Sequence, residues 1–239
     1  MDKTLKQLFE MEEKKEKARL EIVLKHVQAG VSFVDYKTAY IDACVEIGEG
    51  TVIGPCVTLS GETKIGRNCV IGQGTRIVNS EIADSVDIQS SVILESKIGS
   101  RTHVGPFAYL RPNCTIGEDA KVGDFVEVKN SSMGNGSKAS HLTYIGDSDV
   151  GNNVNLGCGV VFVNYNGSEK FRSVVEDGAF IGCNSNLISP VEVGRGAYVA
   201  AGTTITKNVP ADALCIGRSR ETLIEGWVSK RGLLNKRKK

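Results

Sequence analysis

Aliphatic residues recur every six positions through most of this chain. Ile47, Ile53, Leu59, Ile65, Ile71 and Ile77 form the first run, and glycine follows directly at 48, 54, 66 and 72. After a stretch with five-residue steps, the period resumes at Ile98, Val104, Leu110, Ile116, Val122 and Val128, then at Val150, Leu156 and Phe162. It returns from Val175 through Ile181, Leu187, Val193 and Val199 to Ile205. Neither the helical period nor the two-residue alternation of a half-buried strand fits this spacing. A fixed six-residue aliphatic period is the signature of a solenoid in which each hexad makes one flat face and three hexads close a triangular coil. Two positions before each aliphatic residue the side chain is usually small, as at Thr51, Cys69, Thr75, Thr102, Ala108, Cys114, Ala120, Ala179 and Ser185. Such residues suit a narrow coil interior, and the glycines are expected to give the backbone the conformation that the corners require.

Residues 2–28 follow another rule. Leu5, Leu8 and Phe9, then Ile22, Val23, Leu24 and Val27, lie among mixed Glu and Lys without proline, and Gly30 follows as a stop signal. A helix is predicted here, partly exposed because EEKKEK at 12–17 has no apolar residue. The fold class is therefore mainly β, a parallel β-helix of hexapeptide repeats preceded by an N-terminal α-helix. Three parts are expected: a connector helix over 1–30, the β-helix over 31–217 with a loop at 163–172, and a C-terminal arm with a basic tail over 218–239.

Composition narrows the function classes. No apolar run approaches the roughly 20 residues that span a bilayer, and the charged N-terminus lacks a secretory signal, so a cytoplasmic protein with no membrane partner is expected. Seven cysteines without paired CxxC spacing argue against a disulfide framework and a structural zinc site. Cys69 and Cys114 occupy the small interior position, where packing explains them. Net charge is +1, but residues 228–239 carry six basic groups and no acidic ones. A solvated end is the plainer reading of that tail, contact with an anionic ligand is the alternative, and no nucleic-acid partner is inferred.

Candidate chemistry gathers between residues 124 and 170. His141, one of three histidines, lies in SHLTYIGD at 140–147, with Glu127 and Lys129 upstream and Tyr144 beside it. An imidazole near carboxylates and lysines is a candidate general base, although a lone histidine is more often structural. The repeat breaks at VNYNGSEKFR, 163–172, where the next aliphatic position is delayed to Val175. Tyr165, Lys170, Phe171 and Arg172 equip that loop to bind something. Arg111 and Lys129 follow Leu110 and Val128 where glycine is commoner, and with Lys170 they would make a phosphate clamp if they converged. GQGTR at 72–76 resembles a phosphate loop, but it lies in register between Ile71 and Ile77 and reads as an ordinary coil.

Six longer strings carry a closer resemblance: GPFAYLRP at 105–112, VGDFVEVKN at 122–130, GSKASHLTYIGD at 136–147, VGNNVNLGCG at 150–159, NYNGSEKF at 164–171 and AAGTTIT at 200–206. Through them the chain resembles the acetyltransferase half of the bacterial bifunctional enzymes that make UDP-N-acetylglucosamine, the GlmU family. The resemblance implies a left-handed β-helix, a homotrimer with active sites between subunits, and acetyl transfer from acetyl-CoA to glucosamine-1-phosphate without a metal. It places His141 as general base and Glu127 as the carboxylate that helps arrange the site. Arg111, Lys129, Tyr144, Asn155 and Lys170 match the sugar-phosphate contacts. Cys158, Asn164, Tyr165, Cys183, Ala201 and Arg218 match acetyl-CoA positions, the two cysteines replacing the alanine and serine of better-known relatives. Arg220, Lys230 and Arg231 would attract coenzyme phosphates, and Trp227 would cover the coenzyme or pack the last turn. Nothing in these residues resembles the family's nucleotidyltransferase half, so neither uridyltransferase activity nor a magnesium requirement is expected of them. Other readings are an acyltransferase for a different amine, a metal-dependent β-helix enzyme with three His ligands, and a non-catalytic assembly solenoid.

Overall fold

A computed structural model describes residues 3–233. The repeat region folds into short strands of two to four residues that stack as three parallel sheets of 11, 10 and 9 strands. The chain visits the sheets in turn, so each coil lies directly above the last. Glu46 and Ile47 pair with Lys64 and Ile65, 18 residues on, whereas Asp87 pairs with His103, 16 on, in the stretch of five-residue steps. The aliphatic positions fill the prism: Ile53, Ile71, Ile77, Ile88, Ile93 and Leu110 are fully buried. Each such side chain contributes roughly 1.5–3 kcal/mol on leaving water. Thr51, Cys69, Thr75 and Cys114 line the narrow interior as predicted, and burial pushes the Cys69 and Cys114 thiols up from their ordinary values. Gly72 to Thr75 is an ordinary corner between two strands, the second of which Arg76 opens.

The glycines after the aliphatic residues serve a purpose other than the predicted one. A Cβ on Gly48 would stand 2.6 Å from the Gly66 carbonyl carbon and 2.7 Å from the Arg67 nitrogen, in the next coil. Close approach of successive backbones excludes a side chain there. The left-handed turn comes two residues later, at Gly50 (φ 77°) in one coil and Asn68 (φ 55°) in the next.

Helix α1 (Lys3–Gln28) closes the first coil. Gly30, at φ 87°, lets the Val31 amide reach the His26 carbonyl (3.0 Å) and its own amide reach the Val27 carbonyl (3.0 Å), a Schellman ending. Val23 and His26 are buried against the prism, and Arg19 donates to the Tyr36 and Ala39 carbonyls at 2.6 and 3.1 Å. Leu5, Leu8 and Phe9 are exposed, in keeping with a partly solvated helix. At the other end, the arm beyond Cys215 is exposed and reaches a single turn, α2 (Trp227–Lys230), where Arg231 lies 4.7 Å over the Trp227 ring. Lys236, Arg237, Lys238 and Lys239 of the basic tail fall outside the described residues. Among the described residues no helix is long and apolar enough to cross a membrane.

Candidate active site

Stacking turns sequence distance into adjacency, and the predicted residues other than Asn155 fall on two features of the prism. The first is the edge where the 11-stranded sheet turns into the 10-stranded one. Here Asp124 pairs with His141 in adjacent coils, and Ala139, Leu156, Ile181 and Val199 stack on one another in the interior. Two residues past each of them stand His141, Cys158, Cys183 and Ala201, one per coil. Backbone bonds from Asn184 to Cys158 and from Gly202 to Cys183, both 2.8 Å, keep this column straight. At about 4.8 Å per coil the column from His141 to Ala201 is roughly 14 Å long. Arg218 Nη1 donates to the Ala201 carbonyl at 2.9 Å, tying the C-terminal arm to its far end. Cys183 is exposed and Cys158 half-buried, both as free thiols.

The second feature is the outer face of the 10-stranded sheet. Tyr109, Glu127, Tyr144 and Val161 pair in succession across it, with Arg111 and Lys129 two residues beyond Tyr109 and Glu127. Arg111 binds Glu127 at 3.0 Å. The Tyr144 ring lies over Gly146, where even a Cβ would come 2.4 Å from its hydroxyl. At the far margin Asp147, nearly buried, accepts from Asn130 Nδ2 at 2.6 Å, from Asn164 Nδ2 and from Lys129 Nζ at 3.4 Å. Burial by itself would push the Asp147 carboxyl up; the two amides and Lys129 outweigh it and hold the group below its ordinary value.

Asn164 opens the loop predicted at 163–172, which is a small hairpin. Tyr165 bridges Lys170, the Phe171 amide binds the Asn164 carbonyl at 2.9 Å, and the Tyr165 hydroxyl donates to the Gly167 carbonyl at 2.6 Å. Arg172 anchors its base on Asp149 and the Asn130 carbonyl. The hairpin carries Lys170 to Lys129, whose ammonium pushes Lys170 down from its ordinary value; partial desolvation and Arg111 add to the effect. Arg111, Lys129 and Lys170 thus converge, and only Arg111 and Lys129 have carboxylate partners among the described ion pairs. Neighbouring cations that repel one another are poised for an anion.

His141 sits on the opposite margin of this face, and its partner is not Glu127. Its Nδ1 lies 2.5 Å from Asp124 Oδ1, while Glu127 serves Arg111. Asn155 lies around the corner on the 11-stranded sheet, paired with Phe180, away from the three cations. Sequence reasoning singled out neither Asp124 nor Asp147. Each contacts its partner at a separation of 17 residues, one coil, so counting coils would have found both. Among the described residues no group of three or more His, Cys, Asp or Glu could hold a metal ion; His103 faces Asp87 on the surface and His26 is a buried residue of α1 itself.

Residues 44–79, 95–130 and 172–207 match the bacterial transferase hexapeptide family of six repeats. Over 227 residues, 95% of its length, the chain is 49% identical to the bifunctional protein GlmU of Alkaliphilus metalliredigens. It is 52% identical over 222 residues, 93% of its length, to that of Clostridioides difficile. The chain belongs to the GlmU family. It matches the C-terminal half of those GlmU proteins and spans about half their length, 49% and 48% respectively. Among solved structures, a UDP-N-acetylglucosamine acyltransferase superposes with a TM-score of 0.51 over 79% of this chain and 71% of that one, at 20% identity, a likeness of fold alone. The GlmU relationship covers every coil on which the two features described above are built.

Proposed function

We propose that this chain transfers the acetyl group of acetyl-CoA to the amine of glucosamine-1-phosphate. The observation that carries the reading is the convergence of Arg111, Lys129 and Lys170 on one margin of a coil face whose other margin holds His141. The sugar lies across the face, its phosphate on the three cations and its amine toward His141, with Tyr144 as the floor. The column from His141 through Cys158 and Cys183 to Ala201, roughly 14 Å at about 4.8 Å per coil, suits an extended pantetheine arm whose thioester ends at His141, and Arg218 meets its far end. The amine nitrogen attacks the thioester carbonyl, the C–N bond forms as the C–S bond breaks, and the amine proton passes to His141 and on to the departing thiolate. Asn164 and Tyr165, on the cation margin, would offer their backbone to an acetyl group carried on a neighbouring chain's edge, and holding both reactants on rigid prisms supplies the proximity term.

The assembly is a homotrimer. Phe107, Phe125 and Leu142, more than half exposed, make an apolar ladder along the His141 edge, and the rings of Phe107 and Phe125 stack at 5.4 Å. A ladder of this kind needs a cover, and a neighbouring prism laid along it would bring a second chain's Asn155 and coenzyme column to the cations of the first. Unpaired thiols on the coenzyme edge agree with a reducing, cytoplasmic setting.

The test is thiol release from acetyl-CoA in the presence of glucosamine-1-phosphate, glucosamine-6-phosphate or free glucosamine. Turnover should be strongest with the 1-phosphate, and His141→Ala should lower kcat by about 10²- to 10⁴-fold, the contribution of a general base. No turnover with the 1-phosphate would refute the substrate, and near-full activity in His141→Ala would refute the base.

A further inference from the structure

Asp124 lies outside the set of residues that the resemblance implies, yet it makes the closest contact that His141 has. The strands Lys121–Asp124 and Lys138–His141 are four residues long where most coils use two or three, so their pairing runs on to the corner. Gly123 permits it: a Cβ there would fall 1.9 Å from the Ser140 carbonyl oxygen. The backbone of His141 is held from both sides. The Leu142 amide binds the Asp124 carbonyl at 2.9 Å, and Thr143 Oγ1 donates to the His141 carbonyl at 2.8 Å. With the backbone fixed, one contact sets the ring, Nδ1 to Asp124 Oδ1 at 2.5 Å.

A carboxylate accepts and does not donate, so this contact requires the proton on Nδ1. The neutral imidazole then has its lone pair on Nε2, across the ring from Asp124. We infer that Asp124 is the positioning residue of His141: its carboxylate holds the Nδ1–H tautomer and turns Nε2 outward, toward the Cys158 side of the edge where an amine and a thioester would meet. The same division of labour orients a histidine base wherever its second nitrogen is engaged. The identity of the amine rests on the acetyl-transfer reading; the tautomer does not.

Asp124→Asn tests the inference, because a carboxamide keeps the shape and can donate to Nδ1, favouring the opposite tautomer. Nitrogen-15 NMR of the whole protein at about pH 8.5, where an ordinary imidazole is neutral, reads the tautomer directly. The His141 signal is assigned by its loss in His141→Ala, and His103 beside Asp87 serves as the internal comparison. The proton should lie on Nδ1 in the unmodified protein and move to Nε2 in Asp124→Asn. In the acetyl-transfer assay kcat should fall about 10- to 100-fold, less than removal of the base because the half-exposed pair lets water replace part of the interaction. KM for both substrates should stay within about threefold, and Asp124→Glu should recover part of kcat. An unchanged tautomer in Asp124→Asn, or a kcat within about twofold of the parent, would overturn the assignment. If the chain transfers no acetyl group to glucosamine-1-phosphate, the substrate reading falls and the NMR result alone decides the role of Asp124.

Discussion

Replacing Asp147 by alanine should loosen one corner of the prism and leave the rest intact. The carboxylate accepts two side-chain amides and the Lys129 ammonium in a position 7% exposed, so no water easily takes its place. Each hydrogen bond to a charged group contributes about 1.5 kcal/mol or more. Losing the two amide contacts, with Lys129 left without its anion, should cost about 3 kcal/mol. In a domain of this size 1 kcal/mol moves Tm by about 2–4 °C, which puts the fall near 6–12 °C. Hydrogen exchange should rise in 163–172, where Asn164 loses its anchor, and not in the coils before residue 100, because a solenoid coil contacts only its neighbours. The contribution also has a pH signature. A carboxyl held below its ordinary value stabilises the folded state fully above the unfolded pKa near 3.9, and that stabilisation disappears as the pH falls through the folded value. The Tm gap between the parent and Asp147→Asn should therefore be full at pH 7 and shrink below about pH 4. A Tm within 1–2 °C of the parent for Asp147→Ala, with unchanged exchange in the loop, would refute this account of the corner.

Lys170, pushed down by Lys129, should take up protons when an anion arrives between them, since the anion raises its proton affinity back toward the ordinary value. Titration calorimetry with glucosamine-1-phosphate near pH 9 in buffers of different ionisation enthalpy should show that uptake, together with affinity that weakens as pH rises, and Lys170→Met should abolish both. Phe125→Asp places a charge in the exposed aromatic ladder and should convert the proposed trimer to monomers in light scattering, with the proposed acetyl transfer lost and circular dichroism unchanged.

The fold was legible because a hexapeptide prism has an invariant interior. Ile53, Ile71 and Leu110 must point inward at a fixed period, and every side chain at these positions is apolar, although its size ranges from Ala139 to Phe162. The purpose of the glycines was not legible, because the approach of Gly48 to Gly66 in the next coil is a contact between backbones that leaves no trace in local propensity. His141, Lys129 and the broken loop stood out against the repeat. Their partners did not, since Asp124 and Asp147 look like ordinary turn residues until the coil length is known. Glu127 was grouped with His141, yet the chain turns a corner between Asp124 and Glu127, which leaves Asp124 beside His141 and puts Glu127 beside Arg111.

The hairpin at 163–172 shows where this architecture can grow. A residue added inside a strand would shift every rung above it and break the alignment of Asp124 with His141, whereas residues added at a corner are extruded and the ladder closes beneath them, as the pairing of Val150 with Val175 demonstrates across a coil of 25 residues. Insertion at corners therefore separates the inheritance of the scaffold from that of its loops: the prism can keep its His141 edge unchanged while the length and charge of one extruded loop are retuned.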